Sequence, residues 1–310
     1  MATTAGLTIN ALRTGYSRGA RPHDVVMTVV HRIENDRHRN AWIYVEDKAV
    51  LEQQCADLER RRQRGDDLPL YGIPFGVKDN IDVARMPTSA ACPEFTYMAA
   101  RSSRAVELLT EKGAICIGKT NLDQFATGLS GARSPYGVCA SVQNPDYVSG
   151  GSSSGSAVAV AAGHVAFALG TDTGGSGRIP AGFNGIVGIK PTLGKVSLRG
   201  VVPNCATLDV VSVFANHVVE GSEILHNISG FDPDDPYSRR GPQPIEREAG
   251  SAFAFGRLAE KDLEFFGMDE CRKLYESACH RIIARGCRDG LAFGWLEGWR
   301  VMDLRLSGFF

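Results

Sequence analysis

The stretch of this chain densest in chemically useful residues runs from Tyr147 to Thr192, YVSGGSSSGSAVAVAAGHVAFALGTDTGGSGRIPAGFNGIVGIKPT. Between Ser149 and Gly177 it holds eight glycines and six serines in 29 residues. Glycines at this density give the backbone access to φ > 0 and leave N–H groups unshielded. A site needs both when a carbonyl oxygen becomes negative during a reaction. Thr173-Gly174-Gly175-Ser176 is such a turn, and it ends on a hydroxyl. On composition alone the stretch reads equally well as two glycine turns flanking a helix of small residues.

A second pattern, Gly113-Ala-Ile-Cys-Ile-Gly118-Lys119-Thr120, fits GxxxxGK[ST], the loop that wraps nucleotide phosphates with backbone N–H groups. Its surroundings argue against that use. A phosphate loop follows a strand, whereas Ser103 to Lys112 has helical periodicity and Ile115 to Ile117 is strand-like. The segment is therefore read as a helix, a tight turn at Gly113 and a buried strand, with Thr120 as N-cap of a further helix and Asp123 at its N3 position. The eight cysteines form no CxxC pair and the seven histidines no HExxH or other metal-ligand spacing, so no metal or other cofactor is expected. Free thiols and the lack of an apolar leader point to the cytoplasm.

The elements that must position these residues follow from patterning. The chain has 310 residues, of which 43% are hydrophobic and 22% charged, an ordinary balance for a globular protein. Thirty-four basic and 35 acidic side chains give a net charge of −1, so no global field recommends nucleic acid or an anionic membrane as partner. The longest apolar run, Ala157 to Leu169, is interrupted by Gly163 and His164 and is too short to span a bilayer.

Residues 8 to 65 read as helical and end in a basic run, Glu59 to Arg64, taken as a solvated helix end. From Leu68 onward, short apolar runs (Ile73 to Val77, Ala114 to Ile117, Val165 to Leu169, Ile186 to Ile189) alternate with helical segments (Ser103 to Lys112, Asn121 to Thr127, Ser154 to Ala162). This texture predicts an α/β fold with a mixed or largely parallel sheet. A helix is expected after Val218, then a turn-rich loop at FDPDDPYS, then a helix from about Asp269 that stops at Gly286. The organisation read from these signals is an N-terminal helical region, residues 1–66, and a core, residues 67–310, with an atypical tail at 287–310.

The Tyr147 to Thr192 segment resembles the signature of the amidase-signature family of serine hydrolases. The resemblance implies a mixed central sheet flanked by helices and a Ser-Ser-Lys apparatus. Its members here are Lys78 in Gly76-Val77-Lys78-Asp79, Ser152 in Gly150-Gly151-Ser152, and Ser176 in Gly174-Gly175-Ser176. By this resemblance Ser176 is the nucleophile, and Ser152 relays its proton to Lys78. Backbone N–H groups of Thr173, Gly174, Gly175 and Ser176 form the oxyanion hole, and the Gly151–Ser152 peptide is cis. Asp172 and Arg178 are expected to pair and brace the loop, with Ser153 hydrogen-bonded inside the network and Ser154 at a helix start.

The chemistry is intelligible in its own terms. A serine hydroxyl is a weak nucleophile that needs a base, and no histidine sits in a recognisable Ser-His-Asp arrangement. Lysine serves only when neutral, so Lys78 must be desolvated enough to fall well below its ordinary value of about 10.4.

Within the family, LYGIPFGVKDNIDV (Leu70 to Val83), GKTNLDQFATGLSGARSPYG (Gly118 to Gly137) and the signature itself resemble allophanate hydrolases, and the similarity runs from about residue 68 to about 285. That implies release of ammonia from allophanate in urea or s-triazine catabolism, a small-molecule amide as partner, no nucleic acid, no membrane, and a homodimer. The sequence departs from the pattern at its end. Gly290 to Val301 does not match the L-Y-x-G-P-W-V-A-E-R-like segment that holds the substrate carboxylate, and Arg300 and Arg305 are the substitutes available. The chain is accordingly read as an amidase core incomplete at its C-terminus, with final residues out of register, exposed apolar surface and marginal stability. The competing readings are a non-catalytic remnant of the fold, an amidotransferase A-type subunit, an amidase for another short carboxylated amide and, from the Gly113 to Thr120 pattern, a nucleotide-binding protein.

Overall fold

The structure, a computed structural model, describes residues 7–241, 254–258, 260–284 and 288–293. It opens with α1 (Ile9–Ser17) and α2 (Pro22–Asn35). Thr8 caps α1 by accepting from the Ala11 amide, and Pro22 begins α2, where its missing N–H leaves no bond unmade. Each helix buries one apolar stripe: Ile9, Leu12 and Tyr16 from α1, and Val26, Val29, Val30 and Ile33 from α2.

The next element corrects the all-helical reading of residues 8–65. β1 (Trp42–Val45) lies between α2 and α3 (Lys48–Gln63). A four-residue WIYV run between two long helical patterns is too short to show a period of its own, and pairing with a distant strand decides its state. The basic residues Arg60 to Arg62 close α3, where cations complement the carbonyl end of the helix.

The remaining elements of this part are β2 (Pro74–Lys78), a short hairpin of β3 (Pro87–Thr88) and β4 (Tyr97–Met98), α4 (Arg104–Glu111), β5 (Ile115–Thr120), α5 (Ser154–Ala161), β6 (Phe167–Thr171), α6 (Arg178–Asn184), β7 (Val187–Ile189), β8 (Val211–Ala215) and α7 (Val218–Ile228). Six strands form one sheet in the order β1-β5-β2-β6-β8-β7. β5, β2 and β6 run parallel, whereas β1, β8 and β7 join antiparallel, so the sheet is mixed. β2, β5, β6 and β8 are buried at every position, as strands covered on both faces must be. Alternate residues feed two cores. Phe167 and Leu169 join Phe75, Leu109 and Ile224 on one face, and Ala168 joins Ile117, Val160 and Phe214 on the other.

A helix over Asn121 to Thr127 does not form. Thr120 is the last residue of β5 and hydrogen-bonds Ser156, and only a single 3₁₀ turn, Gln124–Ala126, follows, with Phe125 left-handed. The reason is tertiary. Asp123, expected at N3 of that helix, instead accepts from the amides of Gly131 (3.0 Å) and Arg133 (2.7 Å), eight and ten residues on. α6 and β8 are not among the elements read from the sequence, although Val210 to Ala215 is itself a short apolar run rich in β-branched residues.

The chain divides into two compact units, Met1–Gly241 and Pro242–Phe310. The second unit contains β9 (Ala254–Leu258), α8 (Asp269–Ile283) and β10 (Arg288–Phe293), with β9 and β10 parallel. α8 begins where the sequence places it. Its stop at Gly286, and the tail apart from β10, lie outside the described residues. Among the described residues, no helix is long and apolar enough to cross a membrane.

Candidate active site

The three parallel strands end at Lys78, Thr120 and Thr171. In sheets of this kind, the loops beyond the carboxyl ends of parallel strands gather around a crevice where ligands bind. Lys78 is wholly buried, and its Nζ donates to Ser152 Oγ at 2.8 Å and to Thr171 Oγ1 at 2.7 Å. Burial removes water from the ammonium and pushes Lys78 down to about 7, against the opposing pull of Asp123, Asp172 and Asp209. A large fraction of the amine is therefore neutral at neutral pH.

Ser152 lies two residues before α5, and its peptide bond with Gly151 is cis, the isomer that the resemblance implies. Two glycines let the chain pass here. Gly150 is left-handed, and a Cβ on it would stand 2.9 Å from Pro180 Cα; a Cβ on Gly151 would collide with the Asp123 carboxylate. Ser153 ties the start of α5 to the end of β6, since its Oγ donates to Thr171 O (3.0 Å) and accepts from Thr171 N (3.3 Å). Ser154 opens α5.

The turn Thr173 to Ser176 follows directly from β6. Asp172, buried, accepts from the amides of Gly175 (2.8 Å), Gly177 and Arg178 (both 3.1 Å) and from the Arg178 guanidinium through Nε and Nη2. Burial alone would raise its carboxyl, but Arg178 and these amides outweigh that and hold it below the usual carboxylate range. One of the four expected oxyanion donors is thereby engaged. The Gly175 N–H serves Asp172, which leaves the amides of Thr173, Gly174 and Ser176 without a protein acceptor among the described residues.

The Ser176 carbonyl accepts from Ser153 N at 3.2 Å, which sets the turn beside Ser152 and Ser153. Ser176 Oγ makes no hydrogen bond to Ser152 among the described residues.

Gly175 has φ +129, and a Cβ there would stand 2.6 Å from Ile179 Cδ1. Gly175→Ala is therefore expected to destabilise the fold by about 1–3 kcal/mol through backbone strain, a change that urea titration measures.

Thr171 and Asp209 escaped sequence reasoning, and Asp123 was assigned to a helix start instead of the surroundings of Lys78. Thr171 was legible as the polar end of an apolar run just before the glycine turn. The two carboxylates become neighbours of Lys78 only through folding. Lys119, the lysine of the phosphate-loop pattern, is buried in β5 and pairs with Asp79 at 3.0 Å, with further bonds to Thr88 Oγ1 and Pro87 O. It faces no anion-binding loop. Among the described residues, no group of three or more His, Cys, Asp or Glu side chains is placed to hold a metal ion.

The profile of the Amidase family matches residues 24–275. The chain belongs to the Amidase family. Among its Amidase-family relatives, urea amidolyase of Saccharomyces cerevisiae is 53% identical over 201 residues, which is 64% of this chain and 11% of that one. The solved structure of a serine-to-alanine variant of Kluyveromyces lactis allophanate hydrolase superposes with a TM-score of 0.85 at 40% identity, covering 94% of this chain and 48% of that one. A glutamyl-tRNA(Gln) amidotransferase subunit of Akkermansia muciniphila is 42% identical over 225 residues, 72% of this chain and 46% of that one. This Amidase-family chain thus spans about half the length of the allophanate hydrolase and amidotransferase chains it matches, and a smaller share of urea amidolyase.

Proposed function

We propose that the chain carries the amide-hydrolysing apparatus of an allophanate hydrolase, acting through Lys78, Ser152 and Ser176. The observation that carries this reading is the wholly buried Lys78 amine, 2.8 Å from Ser152 Oγ and brought close to neutrality by desolvation.

Neutral Lys78 takes the proton of Ser152 as Ser152 takes that of Ser176, and Ser176 Oγ adds to the amide carbon. The resulting oxyanion is met by the amides of Thr173, Gly174 and Ser176, where removal of one such donor typically costs about 10²–10³ in rate. The C–N bond then breaks, the leaving nitrogen takes the proton back through Ser152, and ammonia departs from an acyl-Ser176. Water adds to that ester by the same relay and frees the acid. Asp172 and Arg178 hold the turn without touching substrate.

Substrate identity rests on the kinship with urea amidolyase and allophanate hydrolase. The carboxylate partners considered from the sequence, Arg300 and Arg305, lie outside the described residues. The same reading places the enzyme in the cytoplasm as a homodimer acting on a small-molecule amide, without a role for nucleic acid or membrane.

Purified protein is expected to release ammonia from allophanate and to be labelled at Ser176 by a fluorophosphonate, with both lost in Ser176→Ala. Labelling without ammonia release from allophanate would defeat the substrate assignment. Ammonia release from glutamine in its place would favour the amidotransferase-type reading.

A further inference from the structure

Asp209 lies two residues before β8 and is 3% exposed, and its carboxylate gathers bonds from two loops. Oδ1 accepts from Thr173 Oγ1, Oδ2 from Asn204 N at 3.0 Å, and both oxygens from Cys205 N at 3.2 and 3.1 Å. Asn204 in turn donates through Nδ2 to the carbonyls of Phe125 (3.2 Å) and Ala126 (3.0 Å), in the bend that follows Asp123. The C-terminal half of the nucleophile turn is held by Asp172, whose partners begin at Gly175. The first half has no such hold from packing. Gly174 is exposed, and a Cβ built on it would meet nothing within 4 Å. The hydroxyl of Thr173, bonded to Asp209, is therefore the side-chain restraint on the Thr173–Gly174 peptide, and that peptide supplies the Gly174 N–H.

We propose that Asp209 is a positioning residue for the oxyanion site, fixing the start of the Thr173 to Ser176 turn through Thr173 and clamping that turn to the Asn204–Cys205 loop and the Phe125–Ala126 bend. The inference rests on the reading of Ser176 as nucleophile. Asp209 touches no reacting atom; it acts on the transition state by preventing the free amides from swinging, which costs reorganisation at the moment of reaction. Its charge has a second consequence. The carboxylates acting on the Lys78 ammonium are Asp123 after β5, Asp172 after β6 and Asp209 before β8. Asp79, on the loop that continues the strand of Lys78, is compensated by Lys119 of β5, and the hydrogen-bond partners of the amine among the described residues are the hydroxyls of Ser152 and Thr171. Neutralising Asp209 removes one of three charges that favour the protonated amine, so the neutral form persists to lower pH.

The test is the rate of fluorophosphonate labelling of Ser176 in the full chain from pH 5 to 9, for the wild type, Thr173→Val and Asp209→Asn, with circular dichroism reporting the fold. Thr173→Val removes one hydroxyl and no charge. It is expected to slow labelling at least about tenfold with the midpoint of the acid limb unmoved. Asp209→Asn is expected to slow labelling at pH 8 and to move the midpoint to lower pH, a shift that a purely structural lesion would not produce. Wild-type rates in Thr173→Val, or a slowed but unshifted Asp209→Asn, would overturn the inference. If Asp209→Asn fails to fold, the Thr173→Val rate decides alone. A wild-type protein that is not labelled at Ser176 would overturn the nucleophile assignment and this inference with it, whereas a labelled wild type with an unaffected Thr173→Val would remove only the role of Asp209.

Discussion

Lys78→Met is expected to slow acylation of Ser176 by about 10²–10⁴-fold, the range over which a positioned general base acts. Methionine fills a similar volume but takes no proton, so Ser152 keeps its own and has nowhere to pass that of Ser176. The wild type should show an acid limb centred at about 7, because the proposed relay runs only when the Lys78 amine is neutral and desolvation brings it to that value. Rates rise as pH climbs through the midpoint and fall as the amine is protonated below it.

The same residue ties activity to stability with the opposite sign. In the unfolded chain Lys78 holds its proton up to about 10.4, whereas in the folded chain it yields the proton near 7. Between those values unfolding takes up a proton, so stability rises with pH across that window and the lysine is a net cost at neutral pH. Lys78→Met should therefore melt no lower than the wild type at pH 7 while losing activity. Calorimetry and labelling kinetics on one preparation check both halves. A variant that keeps its labelling rate would remove Lys78 from the mechanism.

The second large effect is on folding. Lys119→Met is expected to destabilise the first unit by about 3–5 kcal/mol, because it leaves the buried Asp79 carboxylate without its cation. Lys119 and Asp79 are 0% and 1% exposed, so neither charge has water to fall back on. Ser89 offers Asp79 an amide at 3.0 Å and its hydroxyl, which soften the loss without replacing the charge. Urea titration followed by circular dichroism measures the change. The double variant Lys119→Met, Asp79→Asn should recover part of it, since removing both charges abolishes the uncompensated one. A Lys119→Met protein as stable as the wild type would show that the pair contributes nothing. No ATP or GTP affinity should accompany either protein, because this lysine spends its donors inside the fold.

Residue order alone carried much of this protein. The runs Ile73 to Val77, Ala114 to Ile117, Val165 to Leu169 and Ile186 to Ile189 became β2, β5, β6 and β7, with boundaries shifted by at most three residues; the first three are buried on both faces and must be apolar wherever they are paired, while β7 is a half-buried edge strand. The segment after Ser103 became a helix capped by the Ser103 side chain, the one from Val218 a helix that buries a single stripe, and the small-residue run after Ser153 a helix buried on every side. The glycine turns stood out because glycine suits a backbone that must bend left-handed or meet another chain segment at contact distance, whereas their link to Lys78 came from the resemblance to the amidase signature.

Tertiary structure decided what depends on partners far along the chain. β1 exists because Trp42 to Val45 finds β5, seventy-odd residues away, and the helix foreseen after Thr120 is absent because Asp123 binds amides of a later loop. The withdrawal of the Gly175 amide by Asp172, the company of Thr171 at the lysine, and the hold of Asp209 on Thr173 are likewise set by distance in space. So is the proton affinity of Lys78, which depends on how completely the surrounding chain excludes water and on three carboxylates brought together from three loops. Sequence names the residue types that chemistry needs; desolvation and charge proximity are properties of the folded arrangement, and only that arrangement lowers the proton affinity of an otherwise ordinary lysine.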